Sequence, residues 1–173
     1  HIMGHGHPAL HTAGLDAALT DTVMQGNLQQ NHESARLLDT LLAAAAATGA
    51  DLPHCFLSTS GAMANENALK IVLQKNYPAD RVLAFERCFM GRTLAMASIT
   101  DKPAYRNGLP LTLAVDYVPF FDANDPESST RRAIAVLKQH LARHPGRHAV
   151  MCLEMVQGEG GCNPGSPAFF AAL

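Results

Sequence analysis

Three short segments combine glycine, hydroxyl, aromatic and charged residues in ways suited to binding a small anionic molecule. The first is Ser58-Thr59-Ser60-Gly61-Ala62, a turn that opens a helical pattern. Gly61 has no Cβ, so its backbone can come close to a ligand. The helix start aims free N–H groups and partial positive charge at the same spot. Such a turn either holds phosphate or is a plain helix cap. It matches neither G-x-x-x-x-G-K-[ST] nor G-x-G-x-x-G, which opposes a nucleotide- or dinucleotide-binding domain. The second segment is Arg87-Cys88-Phe89-Met90-Gly91-Arg92-Thr93. Phe89 offers a ring face to a planar ligand, and Arg92 offers a two-pronged fork to a carboxylate. The plain alternative is a core phenylalanine beside a surface arginine. The third is Glu154-Met155-Val156-Gln157-Gly158-Glu159-Gly160-Gly161. Its two acids and amide suit either carboxylate chemistry or a structural ion pair.

These segments need elements to position them. Pro8 to Thr20 and Glu33 to Thr48 read as helices. The second has Leu37, Leu38, Leu41, Leu42 and Ala45 on one side, and Gly49 as its stop. Cys55-Phe56-Leu57 reads as a short strand leading into the first segment. Ala62 to Lys75 reads as a helix with Ala64, Ala68, Ile71 and Val72 turned inward. Strands are expected over Arg81–Phe85, Leu113–Val118 and Ala149–Leu153. Between the last two lies a helix within Asp125–His144, capped by Ser128, Ser129 or Thr130 and lined by Ile134, Leu137 and Leu141. A final helix turn starts with Ser166 as N-cap and Pro167 at its first position. Strands and helices alternate, and the strands are apolar throughout. The fold class is therefore α/β, a mainly parallel sheet with helices on both faces. In such sheets ligands sit beyond the carboxyl ends of strands, and all three segments lie at expected strand ends.

Composition removes several function classes. The chain has 173 residues, 47% apolar and 16% charged, with a net charge of −2. It lacks the basic excess of a nucleic-acid binder. No run of about 18 apolar residues suggests a membrane span. The four cysteines form no C-x-x-C pair, and three lie in apolar stretches, which suits reduced thiols in the cytoplasm. His5, His7 and His11 lie close together without an acidic or cysteine ligand nearby, so no metal site is expected.

Taken together, the segments resemble the class III (ω-amino-acid) family of pyridoxal-phosphate-dependent aminotransferases, the group acting on acetylornithine, ornithine, 4-aminobutyrate or the ε-amine of lysine. Gly4-His5-Gly6-His7-Pro8 resembles its early G-H-x-H-P segment. Ser60-Gly61-Ala62-Met63-Ala64-Asn65-Glu66 resembles its S-G-[TA]-x-A-N-E phosphate turn. Phe89-Met90-Gly91-Arg92-Thr93 resembles F-H-G-R-T, and Glu154 to Gly161 resembles E-P-x-Q-G-E-G-G. Met90 and Met155 depart from the family's histidine and proline. Ala64 to Lys70 looks most like members acting on 4-aminobutyrate or lysine.

The resemblance implies a fold-type I large domain, pyridoxal 5′-phosphate as cofactor, and transfer of an amino group from an ω-amino acid to a 2-oxo acid such as 2-oxoglutarate. It implies that Ser60, Gly61 and Ala62 hold the cofactor phosphate, Phe89 stacks on its ring and Glu154 supports the pocket. Arg92 would take a substrate carboxylate. Glu159 would match a glutamate that pairs with a later arginine and swings aside for a dicarboxylate. A cytoplasmic homodimer is implied for the parent protein. The family's ring-nitrogen aspartate and Schiff-base lysine lie downstream of the last segment. Residues 1–173 are thus expected to be part of a cofactor-binding large domain, inactive alone and without the small domain. The alternative is a truncated, catalytically dead module that keeps the fold and binds phosphate or a protein partner.

Overall fold

A computed structural model describes residues 2–20 and 31–173. They form two compact units, 1–58 and 59–173. The first unit holds helices α1 (Pro8–Leu19) and α2 (His32–Ala47). Asn31 caps α2 by accepting a hydrogen bond from Ser34 N at 2.7 Å. Gly49 ends it in a left-handed conformation, φ +80, which glycine adopts without steric cost. Of the expected apolar stripe, Leu38 is buried and Leu42 and Ala45 are half-buried, whereas Leu37 and Leu41 are exposed. Cys55-Phe56-Leu57 forms no strand.

The second unit contains α3 (Gly61–Lys75), β1 (Arg81–Phe85), α4 (Leu94–Ile99), α5 (Pro103–Arg106), β2 (Ala114–Val118), α6 (Pro126–Arg143), β3 (His148–Cys152), β4 (Val156–Gln157), β5 (Asn163–Pro164) and α7 (Pro167–Ala172). The first three strands form a parallel sheet in the order β2-β1-β3. Central β1 alternates between two cores. Val82 and Ala84 join Leu69, Cys88, Met90, Met96 and Ile99. Leu83 and Phe85 join Val118, Phe120, Ala133 and Phe169 on the other face. A strand buried on both faces must be apolar along its length, so the expected α/β architecture is the one that forms.

Two helices differ from the periodic reading. The inward stripe of α3 is Ala62, Glu66, Leu69 and Leu73; Ala64, Ala68 and Ile71 face outward. Hydropathy counts Glu66 as polar and so rotates the expected face. In the structure the Thr93 hydroxyl donates to the Glu66 carboxylate, which lets that position turn inward. Helix α6 starts earlier than expected, with Pro126 in its first turn and Asp125 before it. Ser129 and Thr130 lie inside it, their hydroxyls bonded back to Pro126 O at 3.1 and 2.7 Å. Proline tolerates the first helical position because it has no N–H to leave unpaired. Leu141 is exposed, and Ala133 takes the buried position. At the chain's last helix, Ser166 accepts from Phe169 N at 3.1 Å, the expected cap.

Candidate active site

The N-terminus of α3 meets the loop that follows β1. Ser60 has an extended backbone, and its Oγ accepts from Met63 N at 3.2 Å. The N–H groups of Gly61 and Ala62, first in the helix, have no intrahelical acceptor. A Cβ placed on Gly61 would touch nothing within 4 Å, so the backbone here is open to a ligand.

The loop from Arg87 to Thr93 is held by hydrogen bonds to its backbone from several sides. Arg87 takes a left-handed φ of 60, and its N–H donates to Asp101 Oδ2 at 2.7 Å. Phe89 N donates to Glu154 Oε2 at 2.9 Å. Met90 N donates to Thr100 Oγ1 at 3.0 Å, and Thr100 Oγ1 in turn donates to Gly91 O at 3.2 Å. Asn65 Nδ2 donates to Met90 O at 2.9 Å. The loop is thereby tied to α3, to α4 and to the segment after β3. Cys88 points into the core, where burial pushes its thiol up to about 12. Such a thiol stays protonated and unreactive.

Ser60, Gly61, Ala62, Phe89 and Arg92 line one open cleft of about 530 Å³, a size typical of small-ligand sites. Amide donors at a helix start and an aromatic face thus share one concavity. Arg92 is exposed at its mouth. The remaining two site residues stand differently. Glu154 spends both carboxylate oxygens on backbone, Oε2 on Phe89 N and Oε1 on Gly158 N at 3.3 Å. Its geometry is that of a brace for the Phe89 and Gly158 backbone. Glu159 accepts from Lys102 Nζ at 2.9 Å and from the Tyr105 hydroxyl at 3.3 Å. The Lys102 ammonium, with help from Tyr105 and the more distant Arg92 charge, holds this carboxyl below its usual range. Among the described residues its partner is thus an earlier lysine, where the resemblance implies a later arginine.

Met90 is buried in the core and also lines the cleft. Met155 is largely exposed. Sequence reading missed Thr100, Lys102 and Tyr105, which brace the site from positions with no motif of their own; Thr93 stood within the second segment, but its bond to Glu66 was not legible there. The Asn65-Glu66 pair was visible as part of the turn, but its task of tying α3 to the loop was not. Among the described residues no cluster of three histidine, cysteine or acidic side chains could hold a metal ion, and no helix is long and apolar enough to cross a membrane.

The cleft fits a planar ring that carries a phosphate: unsatisfied amide donors for the anion, a ring face and a cation at the rim. The comparisons with known proteins agree with that chemistry. Residues 1–173 match the family model described as aminotransferase class-III. An acetylornithine aminotransferase from Parasynechococcus marenigrum is 39% identical over 124 residues, covering 68% of this chain and 28% of that protein. An acetylornithine/succinyldiaminopimelate aminotransferase from Yersinia pestis is 33% identical over 179 residues, covering 99% and 39%. The lysine aminotransferase structure from M. tuberculosis superposes with a TM-score of 0.78 at 25% identity, over 94% of this chain and 40% of that one. The chain therefore spans two fifths or less of each of these relatives. Sequence match and fold together lead to one assignment: this chain belongs to the class-III aminotransferase family.

Proposed function

We propose that the protein is a pyridoxal-phosphate-dependent aminotransferase that moves a terminal amine from an ω-amino acid, with acetylornithine and lysine as the leading donors, to a 2-oxo acid such as 2-oxoglutarate. Residues 1–173 are read as part of its cofactor-binding large domain, and the protein as a cytoplasmic homodimer acting on small molecules. One observation carries this reading: the free amides of Gly61 and Ala62 and the ring of Phe89 face the same cleft.

When bound, the cofactor supplies an electron sink for amine transfer. The residues of this chain supply its placement. Gly61 and Ala62 donate to the phosphate oxygens, strengthened by the helix dipole. Ser60 keeps this turn in shape by capping Met63 N. Phe89 covers one ring face and excludes water from it, while Glu154 keeps the Phe89 backbone in place. Arg92 orients the substrate by pairing with its carboxylate, so that the amine, at the far end, points inward. Glu159 sits within range of the Arg92 charge and is held by Lys102 and Tyr105.

The test is to load the full-length protein with pyridoxal phosphate and assay amine transfer from acetylornithine, lysine and 4-aminobutyrate to 2-oxoglutarate. Activity with at least one donor, together with loss of cofactor affinity in Phe89→Ala, supports the reading. A protein that takes up no pyridoxal phosphate, or a Phe89→Ala variant that binds it as tightly as wild type, overturns it.

A further inference from the structure

Behind the Phe89 ring stands a chain of contacts that no motif announces. The ring of Tyr105 meets Phe89 edge-on, with centroids 5.6 Å apart and planes at 69°. The Tyr105 hydroxyl donates to Glu159 Oε2 at 3.3 Å. Lys102 Nζ donates to the same oxygen at 2.9 Å and to the Glu159 backbone carbonyl at 2.9 Å, and lies 5.3 Å from the Tyr105 ring centroid. The backbone beneath is docked on the Phe89 loop. Asp101 N donates to Cys88 O at 2.9 Å, and the Asp101 carboxylate accepts from Arg87 N. Pro103 opens the short helix α5 with a fixed φ. Tyr105 is therefore presented to Phe89 from a segment anchored to the same loop.

We infer that Tyr105 is a positioning residue that couples Glu159, outside the cleft lining, to the ring of Phe89 within it. Its ring fixes the tilt of Phe89, and its hydroxyl reports whether Glu159 is in place. The Glu159–Lys102 pair is partly exposed, with side chains 47% and 37% accessible. Water screens such a pair, so it opens readily. When Glu159 moves toward a substrate group, Tyr105 loses its acceptor and Phe89 loses a fixed neighbour. A charge that draws Glu159 away is thus felt at the Phe89 ring without touching the ligand there.

The inference rests on Phe89 being the face that covers pyridoxal phosphate. It is tested in the full-length protein loaded with pyridoxal phosphate, by the visible circular dichroism of the bound cofactor and by its Kd. Tyr105→Leu removes the edge-on ring and should reduce the dichroic band and raise Kd about three- to tenfold. Tyr105→Phe keeps the ring but loses the bond to Glu159, so it should shift the band in the direction that Glu159→Gln does, and by less than Tyr105→Leu. Glu159→Gln should change the band in the wild-type background and change it by less than half as much in the Tyr105→Phe background. Tyr105 is 37% exposed, so these variants are expected to fold, which far-ultraviolet dichroism checks. The inference is overturned if Tyr105→Leu leaves band and Kd unchanged, or if Glu159→Gln has the same effect in both backgrounds. Phe89→Ala separates the two levels. If it alters the band while the Tyr105 variants do not, the coupling fails and the cofactor reading stands; if it does not, the cofactor reading fails as well.

Discussion

Gly91 lies against Ala62 so closely that a Cβ on Gly91 would stand 2.7 Å from the Ala62 Cβ and 3.1 Å from its Cα. The loop carrying Phe89 and the first turn of α3 are thus in contact through a residue without a side chain. Gly91 also has φ +134, a conformation that side-chain-bearing residues rarely adopt. Gly91→Ala therefore has to push the loop away from the helix start. The expected result is a destabilisation of about 1–3 kcal/mol, the cost of overpacking, together with at least a tenfold weaker uptake of pyridoxal phosphate. Urea unfolding and a cofactor titration measure the two effects.

Thr100 holds the same loop from below. It is fully buried, and its hydroxyl accepts from Met90 N and donates to Gly91 O. Thr100→Val keeps the shape but leaves a donor and an acceptor unpaired in the core. A lost partner for a buried group costs about 1–3 kcal/mol, so a loss of about 3 kcal/mol is expected by urea unfolding. Thr100→Ser, which keeps the hydroxyl, should recover most of it. Equal losses in the two variants would place the cost in packing and not in hydrogen bonding.

The positions of these two residues mark where sequence reading reaches and where it ends. The strands were legible because β1 is buried on both faces and so carries no polar residue between Val82 and Phe85. The turn at Ser60-Gly61-Ala62 was legible because capping chemistry is local. The face of α3 was not, since Glu66 turns inward only by virtue of a hydroxyl 27 residues away. Thr100, Tyr105 and Lys102 were equally hidden. Their partners lie across the fold, and nothing in their own neighbourhood signals it. The strand expected at Cys55-Phe56-Leu57 shows the converse. Apolar residues favour a strand, but a run of three cannot be told from irregular chain by its pattern alone.

Arg92 is exposed at the cleft mouth, and no ion pair among the described residues holds its guanidinium. It is therefore available to a substrate carboxylate. In the full-length protein Arg92→Ala should raise the KM for the amino-acid donor by about 10- to 150-fold, the worth of a charge-assisted hydrogen bond of about 1.5–3 kcal/mol. The absorption of the bound cofactor should stay as in wild type, since Arg92 is read as touching substrate. Steady-state kinetics with the donor varied checks the first point and a visible spectrum the second. An unchanged KM removes Arg92 from the substrate site.

Far from the cleft, Asp116 sets the acid stability of the sheet. Arg81 donates to both of its oxygens, at 2.7 and 2.8 Å, and His148 Nε2 lies 2.8 Å from Oδ2. The hydrogen bonds from Arg81 are the largest reason that the Asp116 carboxyl lies far below the usual range. An acid whose pKa is lowered by folding binds fewer protons in the native than in the unfolded state. Its stabilisation is complete above the unfolded pKa of about 3.9 and is lost as pH falls below it. Asp116→Asn breaks the ion pair and leaves Arg81 without its anion, for an expected cost of about 3 kcal/mol at pH 7. Because asparagine does not titrate, the gap between wild type and variant should narrow on acidification from about pH 4 toward pH 3, where the carboxylate of the unfolded chain takes up its proton. Urea unfolding across that range measures it, and a gap that widened on acidification would show that the carboxylate at Asp116 is not what the Arg81 side chain stabilises.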